Sequence, residues 1–171
     1  MDKKEELRQR MAISLLKNII RTNLPSFTLI RIYGNAEIEF AYYAKKVAEF
    51  WQLQKTEILD EKTIPIGNND EDYYTWILSE IPTISDFDEW LVTSRDSYGY
   101  WAEVKSGNRL DTIKELWHKD KKMGGQRLGY SKGFFAINKS INMIIQVGCF
   151  LGGRDKGYSS ENYYTLTILR I

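Results

Sequence analysis

A chain of 171 residues with 43% hydrophobic and 27% charged side chains has the size and composition of one globular domain, and its 11 Tyr, 7 Phe and 5 Trp argue against disorder. A lone cysteine, Cys149, excludes an internal disulfide and a cysteine-based zinc cluster; a lone histidine, His118, excludes two-histidine metal and phosphoesterase chemistry. The net charge of +1 hides a segregation, with +4 over residues 1–34, −9 over 35–90 and +6 over 91–171.

Leu7, Met11, Leu15, Leu16, Ile19 and Ile20 recur at helical spacing, so residues 2–22 are expected to form an amphipathic helix. No apolar run nears the ~20 residues of a membrane span. The opening "MDKKEELRQR" lacks the apolar core of a secretory signal, so a cytoplasmic protein without a membrane partner is expected. "FTLIRIY" reads as a strand over 27–33, closed by Gly34. "NAEIEFAYYAKKVAEFWQL" reads as a second helix with Asn35 as N-cap and Glu37 in its first turn. "KTEIL" reads as a short strand, "PIGNNDED" as a turn-rich acidic loop, and 71–81 as a helix stopped by Pro82.

"FDEWLVTSRDSYGYWAEVKSG" has the pattern of a β-hairpin, and "NRLDTIKELWHKDKK" that of a helix capped by Asn108 and ended at Gly124–Gly125. "GFFAIN", "MIIQVGCF" and "YYTLTILRI" favour strands, with a helix over 141–150 as the alternative. One α+β domain follows, a mixed central β-sheet flanked by helices: an N-terminal helix over 1–23, a core over 24–138 and C-terminal strands over 139–171.

The hairpin carries the chemistry-bearing pattern. Glu103 and Lys105 share a strand face, and an even loop, of two residues or of four around "DSYG", turns Asp88 to that face. An odd loop centred on Ser97 turns it away. Chance alone supplies about one Glu-x-Lys in a chain with 13 Glu and 15 Lys, so the tripeptide by itself decides nothing. Two carboxylates side by side repel each other unless a divalent ion relieves them, and such an ion activates water for attack on a phosphodiester.

An aspartate on one hairpin strand followed by Glu-x-Lys on the next resembles the PD-(D/E)xK nuclease superfamily. "GNAEIEFAYYAKKVAEFWQLQKTEIL" ahead of "FDEWLV" and "YWAEVKSG" is similar to its Holliday-junction-resolvase-like branch. The resemblance implies a restriction-endonuclease-like core over roughly 34–138 and a Mg²⁺- or Mn²⁺-dependent nuclease. Asp88 and Glu103 would be its metal ligands, Lys105 its catalytic lysine and Glu37 the helix glutamate. Asp86 competes for the role of Asp88. DNA is favoured over RNA as substrate, and a homodimer would address both strands of a duplex.

The basic side chains Arg109, Lys114, Lys119, Lys121, Lys122, Arg127 and Lys132 are the candidate nucleic-acid contacts, with Trp117 and Tyr130 available for stacking; solvated helix ends and a core are the plainer readings. His118 is expected on a solvated surface and Cys149 in packing. "GGRDKG" at 152–157 reads as a hairpin turn or an anion-binding backbone nest. The competing functional reading is a non-catalytic, mobile-element-encoded inhibitor or adaptor whose acidic stretch, residues 57–89, docks on a basic protein.

Overall fold

Short polar side chains start three of the four helices by accepting a hydrogen bond from an otherwise unpaired first-turn N–H. Asp2 caps Lys4 N at 3.4 Å, Asn69 caps Asp72 N at 3.1 Å, and Asn108 caps Asp111 N at 2.8 Å. The computed structural model describes residues 2–34, 36–67, 69–94, 97, 99–120, 133–150 and 163–171. These form α1 (Lys3–Asn23), β1 (Thr28–Tyr33), α2 (Ala41–Lys55), β2 (Glu61–Pro65), α3 (Asp70–Glu80), β3 (Glu89–Val92), β4 (Trp101–Lys105), α4 (Arg109–Trp117), β5 (Phe134–Asn138), β6 (Met143–Phe150) and β7 (Tyr163–Arg170).

The α+β class is as expected, with helices on both faces of one seven-stranded sheet in the order β1-β4-β3-β5-β6-β7-β2. Every described pairing is antiparallel, so the sheet is not mixed in strand direction. Three of the six pairings join strands consecutive in the chain, which suits antiparallel neighbours. The second helix begins later than its sequence suggested: a 3-10 turn at Ile38–Phe40 precedes it, and Glu37 flanks that turn. The expected strand at "KTEIL" instead falls at Glu61–Pro65, because the helix runs on through Lys55. Residues 141–150 form no helix; Met143–Phe150 is a strand.

Alternation along the strands gives the sheet two apolar faces. On one, Trp90, Val92, Ala102, Val104, Ala136, Ile145 and Leu166 meet Leu16 and Ile20 of α1, Tyr73 and Ile77 of α3, and Ile113, Leu116 and Trp117 of α4. On the other, Leu91, Trp101, Ile137 and Ile144 meet Phe40 and Phe50, with Tyr43 and Val47 of α2 against them. Glu115 ties α4 to the α1–β1 turn, accepting from Ser26 Oγ at 2.8 Å and Ser26 N at 3.1 Å, and burial pushes its carboxyl above the ordinary range despite those bonds. Among the described residues no helix is long and apolar enough to cross a membrane.

Candidate functional site

Strand pairing decides where the Glu-x-Lys acids go. Glu89 lies opposite Lys105, Trp90 opposite Val104, Leu91 opposite Glu103 and Val92 opposite Ala102. That register is centred on position 97, the odd case. Asp88 therefore points to the face of Trp90 and Val92, away from Glu103. Ser97 holds the turn: fully buried, its Oγ lies 2.7 Å from Ser94 O, 3.0 Å from Tyr100 O and 2.9 Å from Thr93 Oγ1.

The buried Asp88 carboxylate is occupied by the fold. Its Oδ2 accepts from Ser85 N at 2.9 Å and from the buried Asn138 Nδ2 at 2.8 Å, linking the turn before β3 to the end of β5. Its competitor Asp86 accepts from Arg109 N at 2.7 Å at the start of α4, where a carboxylate meets the positive end of the helix. Between them Phe87 takes a φ of 60°, a conformation that bulky side chains rarely adopt. Asp88→Ala is expected to lower the unfolding free energy by about 1–3 kcal/mol by leaving the Asn138 amide buried without an acceptor. A urea titration of the two proteins measures it, and Asp88→Asn should cost less.

Glu103 sits on the α2 side with different neighbours. Tyr33 Oη donates to its Oε2 at 2.7 Å, and Lys139 Nζ, from the turn between β5 and β6, donates to its Oε1. Burial pushes the Glu103 carboxyl upward, but those two hydrogen bonds and the Lys139 and Arg31 charges outweigh it and hold the group below its ordinary range. The bond to Glu103 likewise raises Tyr33, helped by burial, and Lys139 ends above the ordinary lysine value because the Glu103 bond and charge overcome its own desolvation. Glu89, on the same face, reaches Lys139 at 3.9 Å. The cation that relieves this pair of acids is a lysine of the chain itself.

Glu37 stands further out, accepting from Gly34 N at 3.1 Å and pairing with Arg31 at 3.1 Å. Arg31 lies opposite Glu103 across β1 and β4 and stacks over Tyr33 at 4.5 Å. Among the described residues Glu37 and Glu103 do not bond each other; Arg31 and Tyr33 stand between them. Lys105 is exposed at the end of its strand, between Thr28 and Glu89 on the neighbouring strands.

Mg²⁺ or Mn²⁺ does not fit the proposed ligand pair. An ion between Asp88 and Glu103 would have to lie on both faces of the sheet, and both carboxylates already hold protein donors. No group of three acid, histidine or cysteine side chains arranged to hold a metal occurs among the described residues. Sequence reasoning missed Tyr33, Glu89 and Lys139. Nothing in "INKSIN" marks Lys139 as the partner of Glu103; only the pairing of β3 with β5 brings it there.

The basic residues also divide. Lys119 is no surface contact: only 3% exposed, its ammonium donates to Thr93 O and to Asp120 Oδ2, the latter at 3.0 Å. A cation this buried persists because a carboxylate and a carbonyl of the fold accept from it. Lys114 is partly exposed, 3.4 Å from Glu71 and over the Tyr74 ring at 5.9 Å. Arg109 is half-buried, and its enclosed Nε has no partner among the described residues. Trp117 belongs to the core and is closed to a base. His118 is not a solvated surface residue; its Nε2 lies 3.0 Å from Tyr74 Oη and 3.4 Å from Asp70 Oδ2, between α4 and α3. Burial, then the charges of Asp70 and Glu71, push the Tyr74 hydroxyl up to about 12. Asn35, Lys121, Lys122, Arg127, Tyr130, Lys132, the 152–157 segment and the side chain of Cys149 lie outside the described residues.

No protein-family model matches the chain, and no curated protein or solved structure matches it.

Proposed function

We propose that the chain is a non-catalytic interaction protein that docks a basic protein partner through the acidic surface of residues 57–89. One observation carries the reading: this stretch holds ten carboxylates against one lysine, and eight of the ten are exposed. Among the described residues Glu57, Asp60, Glu61, Asp72 and Glu80 have no ion-pair partner, whereas Asp70, Glu71 and Glu89 face His118, Lys114 and Lys139. Uncompensated carboxylates of one sign repel each other in the free protein and attract a cationic surface, raising its on-rate and making the complex salt-sensitive. The metal-dependent nuclease reading draws no comparable support, since its two acids lie on opposite faces of the sheet.

A lysine- and arginine-rich peptide followed by fluorescence anisotropy tests the reading. Asp60→Asn, Asp72→Asn and Glu80→Gln together are expected to weaken binding about tenfold. The charge-matched set Glu5→Gln, Glu6→Gln and Glu49→Gln, and Lys105→Ala, should change it little. Equal loss in both triple variants would mean that total charge, not this surface, binds the peptide. Wild type and Glu103→Gln are expected to leave plasmid and branched DNA equally intact with Mg²⁺ or Mn²⁺; cleavage that depends on Glu103 overturns the proposal.

A further inference from the structure

Helix α1 carries more apolar surface than the sheet covers. Ala12, Leu16, Ile19 and Ile20 form its buried face, yet Leu7 and Met11, one helical turn apart, are 58% and 52% exposed. A helical residue has its surface neighbours three and four positions away. Those of Leu7 are Lys3, Lys4, Arg10 and Met11, and those of Met11 include Arg8. Glu5 and Glu6, the acids of the first turn, fall at none of these positions. Lys3, Lys4, Arg8 and Arg10 are exposed, and none has an ion-pair partner among the described residues. An apolar strip ringed by four cations therefore meets the solvent.

A patch of the same build and opposite sign lies at the far edge of the sheet. Helix α1 packs against β1, one edge strand, and the other edge, β2, is six strand spacings or about 29 Å away. In the turn leading into β2, Ile58 is 67% exposed, and Glu57, Asp60 and Glu61 flank it, exposed and without ion-pair partners among the described residues. Glu57 closes α2 at a φ of 56° and Ile58 N donates to Leu53 O at 3.3 Å, so the turn that presents Ile58 is bonded to the helix. Lys62, the one cation nearby, points to the opposite sheet face from Glu61. Neither patch can meet its own kind without setting like charges together, and each supplies the charge that the other lacks. The bulge between Leu29 and Arg31 and the proline ending β2 oppose a sheet continued from copy to copy, which leaves the contact to side chains.

We infer that α1 of one copy docks on the α2–β2 turn of a second copy, with Leu7 and Met11 covering Ile58 while Lys4, Arg8 and Arg10 meet Glu57, Asp60 and Glu61. The inference rests on the docking reading above and names its basic partner. Because the two patches occupy opposite edges, the contact is head-to-tail and a pair of copies leaves one patch free at each end, so the assembly is an open chain. Sedimentation velocity on the full chain tests it. Wild type at low salt is expected to grow past the dimer as its concentration rises, and to return to monomer at about 1 M salt, where the screening length falls to about 3 Å. Neutralising α1 (Lys4→Gln, Arg8→Gln and Arg10→Gln) or the turn (Glu57→Gln, Asp60→Asn and Glu61→Gln) should each leave a monomer. Mixed one to one, the two variants should form a dimer and nothing larger, since each keeps one intact patch. Leu7→Gln with Met11→Gln leaves the charge unchanged and should weaken assembly about tenfold or more.

A wild type that stays monomeric up to about 1 mM overturns the inference. Flotation of that monomer with vesicles of anionic phospholipid, lost in the α1 variant, would assign the strip to a membrane surface instead. Either variant assembling alone, or a mixture that stays monomeric or grows past the dimer, overturns it as well. The α1 variant keeps the acidic surface and should bind the lysine- and arginine-rich peptide as tightly as wild type. A monomeric wild type that still binds that peptide sinks self-assembly alone, and one that binds neither sinks the docking reading with it.

Discussion

Trp117→Ala is expected to cost about 3–5 kcal/mol of unfolding free energy, the range for truncating a buried tryptophan. Against a total of about 5–15 kcal/mol for a single domain, this leaves the fold close to its limit. Trp117 has no exposure and lies where α4 crosses both α3 and the sheet. Its ring stacks on Tyr73 at 5.3 Å and meets Tyr164 edge-on at 4.7 Å and Tyr74 at 6.2 Å. Alanine removes one member of each contact and opens a cavity that three tyrosines from two other elements border. Urea unfolding followed by near-ultraviolet circular dichroism measures the loss. Trp117→Phe refines the test: the buried indole Nε1 has no hydrogen-bond partner among the described residues, so phenylalanine keeps much of the packing and removes a donor left unmatched there. It should cost well under half of what alanine does. A loss below about 1 kcal/mol for alanine would place Trp117 at a surface, where the base-stacking alternative needs it.

Apolar patterning explains what the sequence made legible. Strands β5 and β7 are legible as runs rich in β-branched and aromatic residues, β6 less so because its short apolar run also suits a helix, and α4 by Asn108 followed by helical spacing of Ile113, Leu116 and Trp117. The candidate site turned on one further fact, the hairpin parity, which loop-length preference alone assigned to an even turn. Apolar matching across the strands points the other way. A two-residue loop sets Trp90 against Glu103, and a four-residue loop sets Trp90 against Lys105 and Val92 against Glu103. The observed register pairs Trp90 with Val104 and Val92 with Ala102, so one face stays wholly apolar. Register is fixed by the buried face, and a single-residue slip would bury Glu103 against the core of α1, α3 and α4. Lys139 was not legible in this way. Its neighbours come from strands far away in the chain, and neither local spacing nor composition reports a pairing between β3 and β5.

Lys139→Met is expected to destabilise the protein by about 2–3 kcal/mol near neutral pH, because it leaves Glu103 charged and enclosed with only Tyr33 bonded to it. The Glu103 side chain is 10% exposed and that of Lys139 23%, so the loss falls short of the about 3–5 kcal/mol seen for a fully buried pair. The pH dependence separates this electrostatic cost from lost packing. In the wild type the Glu103 carboxyl titrates below its ordinary value of 4.5. Its contribution is therefore complete above that value and lost as pH falls through the depressed one. Lys139 titrates above its ordinary 10.5, so its share persists below that value and is lost as pH rises through the raised one. In the variant the enclosed carboxylate is a burden only while ionised. The stability gap between the two proteins should accordingly be widest near neutrality and close as pH drops from about 7 to about 3. Adding Glu103→Leu to Lys139→Met should recover much of the loss, since no charge is then left enclosed. A gap that stays constant with pH and is not recovered in the double variant would mean that Lys139 acts through its aliphatic stem, and that Glu103 draws its low pKa from elsewhere.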